Sequence, residues 1–86
     1  MGLEVAGAIV LIQTEIGAES RVLEELIKIP EVKEVYIVYG TYDIVAKIEA
    51  DTLEKIREVI TDKVRKLSDI RTTVTMIIVE SRKKEE

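Results

Sequence analysis

The segment VKEVYIVYGTYDIVAKIEA, residues 32–50, decides the fold. Two runs rich in β-branched and aromatic residues, Val32 to Tyr39 and Ile44 to Ala50, are separated by the four residues Gly40 to Asp43. Runs of this length and composition are typical of strands, and a short connection containing glycine is typical of a β-hairpin. The segment therefore predicts an antiparallel pair of strands.

A strand and a helix are predicted before this hairpin. Val5 to Thr14 is apolar at both odd and even positions and rich in β-branched residues, which favours a strand. From Ala18 the apolar residues follow a helical period. They are Val22, Leu23, Leu26 and Ile27. Pro30 ends this helix, because the residue before a proline is pushed out of the α region.

A second helix and a last strand follow the hairpin. Asp51 with Glu54 three residues later predicts an N-cap of the capping-box kind. The apolar residues after it recur at intervals of three and four, which places them on one helix face. They are Leu53, Ile56, Ile60, Val64 and Leu67. Ser68-Asp69 then forms a turn, and Thr72 to Glu80 is predicted as a strand.

The order of elements is β-α-β-β-α-β, which is the ferredoxin-like arrangement of an α+β domain. In this arrangement both helices cover one face of a four-stranded antiparallel sheet. The length of 86 residues is enough for one domain and too short for two. We expect a single domain over residues 1–86, with its core at about 5–80 and a charged tail at 81–86.

The strands leave an apolar surface beyond the one that the helices cover. In three of the four strands both alternating sets of side chains are largely apolar, and only the third places Lys47 and Glu49 on one side. An antiparallel sheet with one face in water normally alternates apolar and polar residues. Burying an apolar side chain stabilises a protein by roughly 1.5–3 kcal/mol. If about six such side chains on the free face stayed in water, the chain would lose on the order of 10 kcal/mol of this stabilisation. We therefore expect the chain to dimerise through this face.

Composition and charge exclude several classes of function. Cysteine and histidine are absent and the formal net charge is −4. Without these residues the chain has no disulfide, thiol nucleophile, imidazole catalyst or zinc site, and we expect neither a metal nor a cofactor. An acidic chain lacks the cationic surface that nucleic acids require, so we expect no direct contact with DNA or RNA. The first apolar run follows Glu4 rather than a basic leader and is too short to span a bilayer, which favours a cytoplasmic protein with no membrane contact.

Three stretches of the sequence resemble one family. They are IPEVKEV at 29–35, GTYDIVAKI at 40–48 and IRTTVT at 70–75. Together they resemble the effector-binding (RAM) domain of the Lrp/AsnC transcriptional regulators, over about Val5 to Glu80, with the G-x-Y-D hairpin as the most specific element. Regulators of this family also carry an N-terminal helix-turn-helix domain. This sequence begins at the first RAM strand, so it resembles the stand-alone form without that domain.

The resemblance implies a regulatory module that binds a small molecule, and not an enzyme. Domains of this family dimerise through the open sheet face and gather into tetramers or octamers, and amino-acid effectors bind between neighbouring dimers. The resemblance also implies co-assembly with full-length Lrp/AsnC-type regulators. The positions carried over as ligand-binding residues are Gly40, Tyr42 and Asp43 in the hairpin and Thr72, Thr73 and Thr75 at the start of the last strand.

These residue types suit a zwitterionic ligand. Asp43 could accept a hydrogen bond from an ammonium group, and threonine hydroxyls and backbone N–H groups could donate to a carboxylate. Each residue also has a purely structural interpretation. Gly40 could serve only the turn, Asp43 could bond to the backbone of the turn, and Tyr42 could pack at an interface. The threonines are also good strand formers.

Three other functions are alternatives to this one. A purely structural partner that co-assembles with full-length regulators without a ligand needs the same dimer face, so the sequence does not separate it from a sensor. A small dimeric ferredoxin-like-barrel enzyme shares the architecture, but the open face is largely aliphatic and the carboxylates lie beside Lys and Arg on the helices. An RNA-recognition domain would expose aromatic residues on its sheet, and this chain has no Phe or Trp and three Tyr.

Overall fold

The computed structural model describes residues 5–84 and confirms the predicted βαββαβ order. The strands are β1 (Ala6–Thr14), β2 (Val32–Ile37), β3 (Ile44–Ala50) and β4 (Ile70–Ile77). The helices are α1 (Glu19–Ile27) and α2 (Leu53–Val59), and α2 continues directly into a π-helical segment, Ile60–Val64. Within the described residues, no helix has the length and apolar character needed to cross a membrane.

The four strands form one antiparallel sheet in the order β2-β3-β1-β4. The central strand β1 pairs with β3 on one side, where Ile12 lies opposite Ile44, and with β4 on the other, where Ile12 lies opposite Thr73. Helix α1 packs against β2 and β3, and α2 packs against β1 and β3. This is the ferredoxin-like α+β fold that the sequence predicted. Because the helices lie mainly over β1, β2 and β3, the edge strand β4 is only partly covered on the helix side.

The core lies between the helices and one face of the sheet. Val10 and Ile12 of β1 and Ile48 of β3 are fully buried there, together with Leu26 of α1 and Ile56 of α2. Their spacing matches the period of two in strands and of three to four in helices, which is why these positions face inward. Burying each such side chain stabilises the fold by about 1.5–3 kcal/mol.

The opposite face of the sheet, called the open face below, is apolar along β1 and β4. Leu11 lies between Val45 of β3 and Val74 of β4, and the next pair along these strands is Ile9 with Met76. Residues opposite each other in an antiparallel pair project to the same side, so these five side chains share the open face. The apolar second face expected from the sequence is therefore present in the fold.

The open face becomes polar along β2 and β3. The hydroxyl of Tyr36 donates a 2.9 Å hydrogen bond to Glu34, and this bond together with the carboxylate charge raises the pKa of Tyr36. Beside them Lys47 lies 3.5 Å from Glu49, on the side of the sheet that the sequence had assigned to these two residues. The open face is thus divided into an apolar half on β1 and β4 and a polar half on β2 and β3.

The ends of several elements differ from the prediction. Strand β4 runs over Ile70–Ile77 instead of residues 72–80, because pairing with β1 already begins where Ile70 lies opposite Thr14. Strand β2 ends at Ile37 instead of Tyr39, and the residues that follow belong to the turn into β3. Helix α1 ends at Ile27, ahead of Pro30.

The predicted start of α2 was wrong by one residue. Thr52, and not Asp51, is the N-cap, and its hydroxyl accepts a 3.1 Å hydrogen bond from the backbone N–H of Lys55. Both residue types cap helices well, so their order in the sequence did not decide between them. Leu53, predicted on the buried face, is 40% exposed, whereas Val59 is buried.

Candidate ligand-binding site

The turn between β2 and β3, residues 38–43, is fastened to the end of β1. Within the turn, the N–H of Val38 donates to the carbonyl of Asp43 at 2.9 Å. Across to β1, the N–H of Asp43 donates to the carbonyl of Ile12 at 2.9 Å, and the side-chain amide of Gln13 donates to the carbonyl of Thr41 at 2.8 Å. The turn is therefore held in a defined position next to the central strand.

The side chain of Asp43 strengthens this attachment. Its Oδ2 atom accepts a 2.9 Å hydrogen bond from the backbone N–H of Thr14, and the residue is half-buried. The carboxylate thus bonds to the backbone of β1 rather than to that of its own turn. Its second oxygen takes no hydrogen bond from the residues that the structure describes, so it can accept one from a ligand.

Gly40 and Tyr42 occupy different environments in this turn. Gly40 has φ +155°, and a Cβ placed on it would meet no atom within 4 Å. Side chains rarely adopt this conformation, so the turn itself explains the glycine, and the empty space leaves its backbone open to approach. Tyr42 is half-buried against the fold.

The three predicted threonines divide between the two faces of the sheet. Thr72 lies opposite Gln13, whereas Thr73 lies opposite Ile12 and Thr75 opposite Val10. Because Ile12 and Val10 face the helices, Thr73 and Thr75 project to the helix side, and Thr72 projects to the open-face side with Gln13.

The free edge of β4 adds outward-facing backbone groups next to the threonines on the helix side. The N–H of Ile78 donates to the carbonyl of Gly7 at 2.9 Å, so this residue directs its backbone toward β1. Along an antiparallel strand, every second residue directs its backbone N–H and C=O groups to the same neighbouring strand. The backbone N–H and C=O groups of Thr73, Thr75 and Ile77 consequently point away from the sheet, beside the threonine hydroxyls.

A groove of about 500 Å³ runs between the π-helical segment and β4. Its lining residues are Ile60, Arg65, Ile70, Arg71, Thr72, Thr73 and Thr75. A second hollow of about 300 Å³ shares Ile60 and Thr75 with it and adds Ile56, Arg57, Thr61 and Ile77. The two hollows adjoin at these shared residues and are together called the α2–β4 groove below. Each of these two volumes falls in the range of small-molecule sites.

The π-helical segment forms one wall of this groove. Its wider bonding pattern is shown by the N–H of Arg65, which donates to the carbonyl of Ile60 five residues earlier at 2.9 Å. Lys63, on the same segment, pairs with Glu31 at 3.4 Å. Partial burial opposes ionisation of Glu31. A hydrogen bond that its carboxylate accepts from its own backbone N–H, together with the charge of Lys63, outweighs this effect and lowers the pKa of this carboxyl from its usual 4.5. π-helical segments are often found at functional sites.

The six predicted residues thus flank the end of β1 and do not share one pocket. Ile12 lies between Ile44, which follows the hairpin, and Thr73 of β4. Two strand spacings separate those outer positions, which corresponds to about 10 Å. Within one chain, the hairpin half lies on one side of β1 and the threonine half lies on the other, in the α2–β4 groove.

The sequence prediction missed the arginines of the groove. Arg71 stands directly before the two threonines in the stretch IRTTVT, and that proximity was the available signal. Arg57 and Arg65 reach the groove only because the helix and its π-helical continuation lie next to the edge strand β4. No group of three or more carboxylates within residues 5–84 is arranged to hold a metal ion.

This ferredoxin-like domain, with a polar groove at its sheet edge, is of the class found in ligand-binding regulatory modules, and comparison identifies the family. The model of the Lrp/AsnC ligand binding domain matches residues 7–86. The chain therefore belongs to the Lrp/AsnC ligand-binding domain family. The HTH-type transcriptional regulator FL11 of Pyrococcus furiosus is 36% identical over 76 residues, which cover 88% of this chain and 50% of that regulator.

Two solved structures are similar in both sequence and fold. The crystal structure of FFRP-DM1 is 46% identical with a TM-score of 0.83, and the match covers 86% of this chain and 99% of that one. The hypothetical protein PHS023 from Pyrococcus horikoshii is 45% identical with a TM-score of 0.82, with coverage of 88% and 92%. By contrast, the chain spans 39–50% of the length of the curated relatives it matches, which are named as transcriptional regulators.

Proposed function

We propose that this chain is a regulatory module that binds an amino acid at the end of β1 and assembles through its open face. The observation that carries the proposal is the Asp43 carboxylate, which β1 holds through Thr14 while one of its oxygens remains free. This carboxylate belongs to a chain of the Lrp/AsnC ligand-binding domain family.

The chemistry of the two flanks suits the two ends of an amino acid. The free oxygen of Asp43 accepts from the ammonium group, and Gly40 lets the ligand approach the backbone of the turn. The hydroxyls and outward N–H groups of Thr73 and Thr75 donate to the carboxylate. Because about 10 Å separates these flanks within one chain, the hairpin and the threonines that meet one ligand come from neighbouring subunits. Tyr42 and Thr72 border the same two flanks.

The open face supports the assembly half of the proposal. Val74 and Met76 remain 36% and 44% exposed beside Ile9 and Leu11, and a contiguous apolar surface of this kind marks a partner interface. A second copy offers the same surface, and the twofold contact between copies forms the dimer from which tetramers and octamers are built. The same face would accept a full-length relative, which makes a co-assembling structural partner the second candidate function.

The test is a screen of the twenty amino acids by thermal shift, with light scattering in the same samples. A ligand at about one hundred times its dissociation constant adds about 2.7 kcal/mol to the folded state. Asp43→Asn keeps an oxygen that accepts from Thr14 but removes the charge, so it should abolish the shift while the protein stays folded. Asp51→Asn removes the same charge from an exposed position outside the site and should leave the shift intact.

Each outcome favours one of the two candidates. A shift with one or a few amino acids that Asp43→Asn removes supports the sensor. Silence across the panel with an oligomer still present rejects amino-acid sensing and leaves the structural partner, which is then tested by mixing with full-length relatives.

A further inference from the structure

The polar half of the open face carries charges of both signs close together. Lys47 of β3 lies opposite Glu34 of β2, and its ammonium group is 3.5 Å from the carboxylate of Glu49. One cation thus lies beside two carboxylates. The side chains of Lys47 and Glu49 are each 36% exposed, so these charges reach the surface of the sheet.

Lys47 and Glu34 retain bonding capacity for a partner. The ammonium group of Lys47 has three N–H donors, and its distance to Glu49 exceeds the roughly 2.7–2.9 Å of a close charge-assisted hydrogen bond. Glu34 accepts through Oε1 from the hydroxyl of Tyr36, and its other oxygen takes no hydrogen bond from the residues that the structure describes. Each of the two groups can therefore form a further bond across an interface.

The apolar half of the open face is too small to hold a dimer by itself. Its two strands span about 10 Å across and, over the eight residues of β4, about 27 Å along, which gives a footprint of about 270 Å². A stable interface buries about 800 Å² on each partner, which exceeds even twice this footprint. Pairing through the open face therefore has to cover the polar half on β2 and β3 as well.

Covering the polar half makes its charges decisive for the choice of partner. Lys47 lies opposite Ile9 of β1, directly beside the apolar half, so a partner that covers Ile9 also removes water from Lys47. A charge that loses water and gains no new partner is strongly unfavourable. Apolar contact is non-directional and accepts any apolar surface, so discrimination between partners comes from the charges.

We propose that Glu34, Lys47 and Glu49 select the partner of the open face, and that this partner is a second copy of the chain. In a twofold contact each copy supplies the cation that the carboxylates of the other copy require, and the contact occurs twice. A full-length relative is accepted only where it presents the same arrangement of signs. This inference rests on the proposed pairing through the open face and adds which chains can pair.

An exchange of charges between two chains tests this selection. Lys47→Glu and Glu49→Lys each bring like charges together in a homodimer, and each should raise the dissociation constant of the dimer by about tenfold or more. In an equimolar mixture of the two variants opposite charges meet again, and the mixed dimer should return to within about threefold of the wild-type constant. Mixing Lys47→Glu with Glu34→Lys repeats the exchange for the other carboxylate. Sedimentation velocity over a dilution series measures these constants, with one variant of each mixture fluorescently labelled.

Lys55→Glu and Glu58→Lys are the matched controls. These two residues form an exposed ion pair at 3.7 Å on α2, which lies on the helix side of the sheet. Their substitution changes the net charge by the same amount as the open-face variants. Each control should leave the dissociation constant within about threefold of the wild type, and circular dichroism checks that every variant is folded.

The outcomes separate this inference from open-face pairing itself. Open-face variants that dimerise as tightly as the wild type, mixtures no tighter than their components, or controls that weaken the dimer equally would each overturn the proposal. If Met76→Ala weakens the dimer and Lys47→Glu does not, pairing through the open face stands and this inference alone fails. If neither variant weakens the dimer, open-face pairing fails and this inference fails with it.

Discussion

Assembly through the open face can be tested with two adjacent residues of β4. Met76 is 44% exposed and projects to the open face, whereas Ile77 is 43% exposed and projects to the helix side. The two side chains therefore have nearly the same exposure but lie on opposite faces of one strand. Met76→Ala should weaken the dimer, and Ile77→Ala serves as its matched control.

The size of the effect follows from the area that Met76 has left to bury. Full burial of a methionine side chain is worth about 1.5–3 kcal/mol. Since 44% of Met76 is exposed in the single chain, the partner can add at most about that fraction, or roughly 0.7–1.3 kcal/mol per copy. A twofold interface contains the residue twice, which gives about 1.3–2.6 kcal/mol. The dissociation constant of the dimer should thus rise by about 10- to 80-fold.

Sedimentation velocity over a dilution series measures this constant for each variant. Circular dichroism and a urea titration of the same samples show that the fold is retained. Ile77→Ala should change the dissociation constant by less than about threefold, which corresponds to under 0.7 kcal/mol. A dimer that Met76→Ala leaves intact, or that Ile77→Ala weakens as much, would refute pairing through the open face.

Three further predictions concern the hairpin, the helix cap and pH. In a urea titration, Asp43→Ala should lower the free energy of unfolding by about 1–3 kcal/mol, because it leaves the N–H of Thr14 without its charged acceptor. Asp43→Asn should lower it by less than about 1 kcal/mol. Thr52→Ala should lower the free energy of unfolding by about 1 kcal/mol, whereas Asp51→Ala should leave it nearly unchanged. Equal losses in these two variants would contradict Thr52 as the N-cap. The lowered pKa of Glu31 stabilises the fold above pH 4.5, and this contribution is lost as pH falls through the folded-state value. The free energy of unfolding should therefore drop more steeply below about pH 5 in the wild type than in Glu31→Gln. The difference between the two proteins should lie within the roughly 0.2–1 kcal/mol that a surface ion pair contributes. Parallel curves for the two proteins would exclude this contribution.

The elements of the fold were predictable because their signals are local. The hairpin of residues 32–50 and the strand of β1 follow from composition and period over fewer than twenty residues. Element ends were less predictable, because they depend on partners distant in sequence. Strand β4 begins at Ile70 because Thr14 of β1 is there to pair with it.

The π-helical segment shows a different limit of the sequence. Ile56, Ile60 and Val64 recur at intervals of four, which suits an α-helix, and the sequence predicted one continuous helix through them. The change to five-residue bonding at Ile60 gives no distinct periodic signal. Arg65 follows this segment and lines the groove together with β4 residues, so this wall of the groove was not predicted.

Strand β4 explains why the threonines were predicted and their arrangement was not. Both of its alternating sets contain apolar residues, so a period of two cannot say which set faces the helices. That choice is made by the register with β1, where Thr73 and Thr75 lie opposite Ile12 and Val10, residues that are buried under the helices. The edge position of β4 then decides how much the helices cover, and its outer row remains open because α2 packs mainly on β1 and β3. The side chains that lie in the groove thus depend on long-range strand pairing as well as on residue identity. The local sequence shows the residue identity but not the pairing.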